Sequence, residues 1–117
     1  MKTIVITGST KGIGLAMADA FLQDGCQVAI SGGRQEPLDE AVASRATSYG
    51  SQRVAGFLCD VTLPEQVESL WQEAADRFGR IDIWINNAGM GLPAEPMENI
   101  PLAKWQQVVK ASGAKVD

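Results

Sequence analysis

Residues 1–21 read MKTIVITGSTKGIGLAMADAF, and this stretch carries the pattern that decides the fold. Its apolar run at Ile4–Thr7 is continuous rather than alternating, which is typical of a strand buried on both faces. A loop with three glycines follows, and apolar residues then recur at helical spacing until Gly25, which suits a left-handed helix end. The stretch predicts a buried strand, a glycine loop and a helix whose apolar positions are Ile13, Ala16, Met17, Ala20 and Phe21.

The same alternation of strand and helix continues along the chain. Further strands are predicted at Gln27–Ser31, Val54–Cys59 and Ile81–Ile85, with helical patterns between them. Strands that alternate with helices of this length are parallel, and right-handed crossovers place the helices on both faces of the sheet. We expect residues 1–117 to form a single domain with a doubly wound, Rossmann-like α/β sheet of about four strands in the order 3-2-1-4.

Two later helices carry more specific expectations. Thr62 and Glu65 have the spacing of a capping box, which predicts Thr62 as the N-cap of the third helix. A loop rich in glycine and proline at 91–101 separates the fourth strand from a last helix that begins at Leu102. The apolar face of the third helix is predicted to consist of Val67, Leu70, Trp71, Ala74 and Phe78.

The composition excludes several classes of function. The 117 residues contain no histidine, which removes Ser-His-Asp and Cys-His nucleophiles and His-ligated metals. The net charge is −4 without a basic cluster, so we expect no nucleic-acid partner. The apolar runs are too short for a membrane span or a signal peptide, so we expect no membrane partner and a cytoplasmic location. Cys26 and Cys59 lack CxxC spacing, which favours reduced, buried thiols over a disulfide or a metal site.

The glycine loop has the context that phosphate binding requires, because it follows a strand and opens a helix. Gly8 permits a sharp turn, Gly12 leaves no side chain between backbone and ligand, and Gly14 permits close packing of the helix. The free N–H groups at the helix start, with about half a positive charge from the helix dipole, would face a pyrophosphate. A tight βα turn without a ligand would also need glycines, so both interpretations stay open. The loop is not a Walker loop, because Lys11 precedes Gly12 instead of following it.

Three motifs together strongly resemble those of the short-chain dehydrogenase/reductase family. They are Thr7-Gly8-Ser9-Thr10-Lys11-Gly12-Ile13-Gly14, Cys59-Asp60-Val61 and Asn86-Asn87-Ala88-Gly89. They stand at the ends of the first, third and fourth predicted strands, in the order of the family, and the resemblance extends to about Trp105. The carboxyl ends of parallel strands are where such sheets bind ligands.

The resemblance implies a role for each motif. The glycine loop would surround the pyrophosphate of a dinucleotide, and the Asp60 carboxylate would accept a hydrogen bond from the exocyclic amine of adenine. Asn86 and Asn87 would brace the central sheet. An exposed turn residue at Asp60 and plain turn chemistry at the asparagines are the alternatives. The predicted cofactor-binding residues are Gly8, Ser9, Thr10, Lys11, Gly12, Ile13, Gly14, Arg34, Asp60, Val61, Asn87, Ala88 and Gly89.

The end of the second strand bears on the choice between NAD(H) and NADP(H). A carboxylate there would accept from the ribose 2′-OH and repel a 2′-phosphate, but Ser31–Arg34 contains no acid. Arg34 offers a forked donor that suits phosphate, and Lys11 adds a second cation. We therefore favour NADP(H), with solvated surface charges as the alternative. In the family the arginine usually follows the strand directly, and here Gly33 occupies that position.

The catalytic residues of the family have no counterpart in this chain. The family uses a serine and a Tyr-x-x-x-Lys pair, whereas Tyr49 is the only tyrosine here and Arg53 follows it four residues later. Tyr49 stands near the end of the second helix, far from the expected site. Ser112 stands where the family places a catalytic asparagine. We therefore predict no catalytic residue and no metal site, and the cofactor-binding half of an oxidoreductase, cut before its catalytic segment and inactive alone. A non-catalytic dinucleotide-binding module and a non-functional remnant are the alternatives.

The predicted strand order also bears on partners. The fourth strand lies at an edge of the sheet, and an unpaired apolar edge favours association. We therefore expect marginal stability and self-association through that edge. A small-molecule substrate is expected only in the presence of the catalytic half.

Overall fold

The computed structural model describes residues 1–87, which form one parallel sheet with helices on both faces. The sheet has the order β3-β2-β1-β4, so the predicted order is confirmed. None of the helices in residues 1–87 is long and apolar enough to cross a membrane. The elements are β1 (Thr3–Ile6), α1 (Gly12–Gln23), β2 (Gln27–Gly32), α2 (Gln35–Tyr49), β3 (Val54–Leu58), α3 (Pro64–Phe78) and β4 (Ile83–Ile85). Strand ends differ from the predicted ones by one or two residues, and the predicted loop at 91–101 and helix from Leu102 lie outside the described residues.

The apolar run in β1 explains why this strand lies at the centre of the sheet. All four of its residues are buried, and it pairs in parallel with β2 on one side and β4 on the other. Side chains alternate between the two faces of a strand, so one apolar run supplies two cores. Ile4 and Ile6 pack with α1 and α2, whereas Val5 packs with α3 on the opposite face. The fold is therefore doubly wound, as predicted.

The apolar face of α3 is confirmed. Leu70 and Ala74 are fully buried, and Val67, Trp71 and Phe78 pack around them against the sheet. The Trp71 ring lies 5.8 Å from the ring of Trp84 on β4.

The predicted face of α1 is only partly right. Met17 is buried and Phe21 packs against the core, but Ile13, Ala16 and Ala20 are exposed. The buried positions follow the helical period from Gly14, and this stripe turns Ile13 away from the sheet. Ile13 is 57% exposed beside the glycine loop. The buried residues of α1 are Gly14, Met17, Ala18 and Leu22.

The predicted capping box at the start of α3 is wrong. The N-cap residue is Leu63, which provides no side-chain hydrogen bond, and Pro64 occupies the first turn. The Thr62 hydroxyl instead donates to Oδ1 of Asp60 at 2.6 Å. Oδ1 of Asp60 also accepts from the Thr62 amide at 3.0 Å, which is the donor that the Glu65 carboxylate would take in a capping box. The turn after β3 therefore uses both donors of Thr62.

The amino-terminal end of the sheet is closed by Arg53, and Tyr49 belongs to this end. The Arg53 guanidinium lies 5.6 Å from the centre of the Tyr49 ring. It also donates to the carbonyl oxygens of Cys26, at 2.8 Å, and of Leu22 in the last turn of α1. Tyr49 thus packs at the end opposite to the glycine loop, as predicted. Both cysteines of the chain are buried free thiols.

Candidate functional site

Backbone hydrogen bonds join the segments that follow the strands into one continuous edge. The Cys59 amide donates to the carbonyl of Gly32 at 2.9 Å, which joins the ends of β3 and β2. The Ser9 amide donates to the carbonyl of Ser31 at 2.9 Å, which joins the glycine loop to the end of β2. The Thr7 amide donates to the carbonyl of Ile85 at 3.0 Å. The structure therefore brings together the predicted site residues between Gly8 and Asn87 at the carboxyl edge of the sheet.

The glycine loop presents backbone donors at the start of α1. Gly8 and Gly12 have φ values of +60° and +61°, which side-chain-bearing residues rarely adopt. Lys11 is the N-cap and supplies no side-chain cap. Within residues 1–87, the amides of 12–14 donate no hydrogen bond, because the first bond of the helix runs from Leu15 to Lys11. Unpaired amides at a helix N-terminus attract anions.

Gly14 is required because the loop folds back onto it. A Cβ atom at Gly14 would lie 2.3 Å from the carbonyl oxygen of Gly8 and 2.9 Å from Nδ2 of Asn87. The same Asn87 amide donates to the Gly8 carbonyl at 3.1 Å. The close approach is thus to the loop and to Asn87, whereas the sequence suggested close packing of helix on sheet. Any side chain at this position would force the loop open.

The two asparagines after β4 brace the centre of the sheet, as the family resemblance implied. The Thr7 hydroxyl donates to Oδ1 of Asn86 at 2.9 Å and accepts from the backbone N–H of Asn87 at 2.9 Å. Asn86 and Thr7 are buried. The side chain of Asn87, predicted to contact the cofactor, therefore holds the carbonyl of Gly8.

Ser9 and Thr10 join the loop to the end of β2. The buried Ser9 hydroxyl donates to the Ile6 carbonyl at 2.7 Å and accepts from the Ser31 amide at 2.9 Å. The Thr10 methyl lies 2.6 Å from where a Cβ would stand on Gly32. Sequence reasoning missed Ser31 and Gly32 as partners of the loop. Their signal is weak, because two small residues at a strand end have many possible reasons.

Lys11 and Arg34 are cations at unfavourable helix positions. They are the N-cap residues of α1 and α2, where the helix dipole disfavours positive charge by about 0.3–1 kcal/mol. Both are exposed, and neither side chain makes a hydrogen bond or ion pair within the part of the chain that the structure describes. Thr10 directly precedes Lys11, and Gly32 lies two residues before Arg34. The close approach of Thr10 to Gly32 therefore brings the chain segments that carry the two cations together.

Asp60 follows β3, and its carboxylate is held in place by Thr62. Oδ1 accepts from the Thr62 hydroxyl at 2.6 Å and from the Thr62 amide at 3.0 Å. These two hydrogen bonds, the hydroxyl first, hold the pKa of Asp60 below its ordinary value, so the group is an anion at neutral pH. Val61 packs against the core cluster that contains Leu70 and Ala74 of α3. Cys59 directly precedes Asp60, and burial raises the pKa of its thiol. Sequence reasoning assigned Thr62 to the helix and therefore missed its role here.

Ala88 and Gly89 lie outside the described residues. Within residues 1–87, no group of three or more Cys, Asp or Glu side chains could hold a metal ion. The arrangement offers backbone donors, two cations and one carboxylate along a single edge. These groups can bind an extended anion that also carries a hydrogen-bond donor.

Comparisons with known proteins point to one family. The family model for short chain dehydrogenase matches residues 2–113. The chain is 42% identical, over 92% of its length, to a protein of Yarrowia lipolytica (strain CLIB 122 / E 150) named probable NADP-dependent mannitol dehydrogenase, of which it covers 38%. The chain spans 25% to 42% of the length of the curated relatives compared.

Solved structures agree with the sequence comparisons. A glucose dehydrogenase of Caenorhabditis elegans superposes with a TM-score of 0.70 and 36% identity, over 76% of this chain and 38% of that one. A short-chain dehydrogenase/reductase of Burkholderia phymatum, solved in complex with NAD, has a TM-score of 0.68 and 26% identity. That superposition covers 72% of this chain and 29% of the other.

Proposed function

The chain belongs to the short-chain dehydrogenase/reductase family of NAD(P)-binding oxidoreductases, and we propose that it forms the NADP(H)-binding half of such an enzyme. One observation carries this proposal: within residues 1–87 the amides of 12–14 donate no hydrogen bond, and the exposed N-cap cations Lys11 and Arg34 lie at the same edge of the sheet. NADP(H) needs hydrogen-bond donors for its pyrophosphate and cations for its 2′-phosphate. Both kinds of group are present at the carboxyl edge of the sheet. The bound cofactor would supply hydride for exchange between a carbonyl and an alcohol.

The loop fits a pyrophosphate sterically. A Cβ atom at Gly12 would meet nothing within 4 Å in the described part of the chain, so the backbone can be approached closely. The amides of Gly12, Ile13 and Gly14 would hold the phosphate oxygens, and Ser9, Thr10 and Asn87 would keep the loop in shape. Gly8 turns the chain toward the site. Asp60 would accept from the exocyclic amine of adenine, with Val61 beside it; Ala88 and Gly89 would run along the adenosine ribose.

Two cations support a preference for the 2′-phosphate. The end of β2 carries no acid that could accept from a ribose 2′-OH, and Arg34 is positioned after it as a forked donor. A cation at an N-cap costs stability, so its presence without a partner among residues 1–87 favours an external anion. The names of the relatives leave the choice open, because one is NADP-dependent and one structure contains NAD.

Binding measurements test the proposed function. We expect the purified chain to bind NADPH about tenfold more tightly than NADH, since one charge-assisted contact is worth about 1.5 kcal/mol. Calorimetry, or the fluorescence of Trp71 and Trp84, reports both affinities. Equal affinities would overturn the NADP(H) preference, and binding of neither nucleotide would overturn the cofactor-binding function.

We propose that the chain alone does not turn over substrate. Proton donation to a carbonyl needs an acid beside the reacting oxygen. Tyr49, the only tyrosine of the chain, packs on Arg53 at the opposite end of the sheet. A non-catalytic binding module would therefore behave in the same way as the cofactor-binding half of an oxidoreductase studied by itself.

We further propose that the protein self-associates through the outer edge of β4. Among residues 1–87, β4 pairs only with β1, and it consists of Ile83, Trp84 and Ile85. Apolar edge strands template pairing with another chain. Sedimentation velocity over a tenfold concentration range should show a rising weight-average coefficient. A monomer at every concentration would contradict this expectation.

A further inference from the structure

Asp60 is exposed and yet held at four points. Its Oδ1 accepts from the hydroxyl and the amide of Thr62, at 2.6 and 3.0 Å. Its own amide donates to Oε1 of Gln66 at 2.8 Å, and its carbonyl accepts from the Leu63 amide at 3.1 Å. Exposed side chains ordinarily keep their rotamer freedom, and losing it costs free energy. The two hydrogen bonds to Oδ1 therefore restrict the exposed carboxylate, as expected of a group that is pre-organised for a ligand.

The residues that fix Asp60 are the ones that could have capped α3. Thr62 is an N-cap residue type, and Gln66 lies in the first turn, from where such side chains reach back to the N-cap. The helix instead begins at Pro64, and its N-cap residue Leu63 provides no side-chain cap. A missing cap lowers helix stability. The polar groups of this turn are thus directed to Asp60 at the expense of the helix.

We propose that Thr62 is a positioning residue: by holding Oδ1 of Asp60 it directs Oδ2 to the exocyclic amine of adenine, so that the site selects adenine over 6-oxopurine dinucleotides. This inference rests on the proposed cofactor-binding function. Within residues 1–87, Oδ2 accepts no hydrogen bond. Gln66 assists by fixing the backbone of Asp60.

The selectivity follows from the chemistry of the two purines. An ionised carboxylate only accepts hydrogen bonds, so it pairs with the 6-amino group of adenine and is repelled by the 6-oxo group of hypoxanthine. The Thr62 bonds, the hydroxyl first, lower the pKa of Asp60, as expected where hydrogen bonds favour the charged form of the carboxylate. Without the Thr62 hydroxyl, Oδ1 keeps only the hydrogen bond from the Thr62 amide, so the carboxylate gains rotamer freedom.

The experiment compares affinities for adenine and hypoxanthine dinucleotides. Calorimetry on the full chain measures the affinities for NADPH, NADH and the hypoxanthine analogue of each. Because adenine and hypoxanthine are compared with and without a 2′-phosphate, the affinity ratio does not depend on that phosphate. Thr62→Val removes the hydroxyl at nearly constant shape, and Thr62→Ser restores it. We expect Thr62→Val to lower the adenine-to-hypoxanthine affinity ratio by about three- to tenfold, and Thr62→Ser to keep it. Thr47→Val is the matched control, because the Thr47 hydroxyl bonds to Ala43 within α2.

A second readout does not use the cofactor. Carbon-13 NMR of the Asp60 carboxyl in the free chain should show a raised pKa in Thr62→Val and an unchanged pKa in Thr62→Ser. If Thr62→Val has the same adenine-to-hypoxanthine affinity ratio as the wild type, the positioning role is overturned. The cofactor-binding function would still stand. Absence of binding by the wild type to all four nucleotides would overturn both. An unchanged Asp60 pKa in Thr62→Val would overturn the positioning role even if that variant binds no nucleotide.

Discussion

Replacing Gly14 with alanine is expected to destabilise the protein by about 3 kcal/mol and to abolish dinucleotide binding. The new Cβ would lie 2.3 Å from the Gly8 carbonyl oxygen and 2.9 Å from the Ser9 Cα. Both are backbone atoms, so no side-chain rotation relieves the overlap. The loop must open, which also breaks the hydrogen bond from Asn87 to Gly8. Urea unfolding measures the stability, and titration with NADPH measures the binding.

Gly33→Ala is the matched control for the Gly14 substitution. Among residues 1–87, a Cβ atom at Gly33 would meet only the Cys59 carbonyl oxygen, at 4.0 Å, and the residue has no positive φ. We expect a stability change within about 0.5 kcal/mol. A Gly14→Ala protein as stable as Gly33→Ala, with wild-type affinity for NADPH, would show that the loop does not need the close approach.

The fold was predictable because its signals are strong and local. The continuous apolar run of β1 is short and ends at a glycine loop, which is typical of a strand buried on both faces, and the alternation with helices then indicates a parallel sheet. The stripe of α3 was equally clear, since Leu70 and Ala74 follow the helical period among charged neighbours. In α1 the helical period was right but the chosen stripe was partly wrong, because alanines are small enough for either face. The close approach of Gly14 to the glycine loop fits the observed rotation of the helix.

The grouping of the candidate site could also be predicted, but its internal contacts could not. Parallel strands bring the segments after them to one edge, so the strand pattern alone places Gly8, Asp60 and Asn87 together. The choice of the Thr62 hydroxyl between the helix and Asp60 depends on the turn geometry, which sequence spacing does not determine. The same holds for the contact of Thr10 with Gly32, since packing of two small groups leaves no periodic signal.

Replacing Arg34 with aspartate is expected to reverse the cofactor preference. If Arg34 contacts the 2′-phosphate, the substitution removes a charge-assisted hydrogen bond worth about 1.5–3 kcal/mol and adds an acceptor for the ribose 2′-OH. We expect the NADPH-to-NADH affinity ratio to fall by about 100-fold at low ionic strength. Arg34 is exposed, so added salt should reduce the effect for NADPH and leave the NADH affinity nearly unchanged.

Arg77→Asp is the control that makes the Arg34 result specific. It changes the net charge equally, but Arg77 lies in the last turn of α3, where it donates to the Ser51 carbonyl at 2.9 Å, away from the carboxyl edge. A general field effect would lower NADPH affinity in both variants, whereas a direct phosphate contact lowers it only in Arg34→Asp. If Arg34→Asp keeps the wild-type NADPH-to-NADH affinity ratio, Arg34 does not bind the 2′-phosphate. In that case the same measurement on Lys11→Asp decides whether Lys11, in the glycine loop, binds the 2′-phosphate by itself.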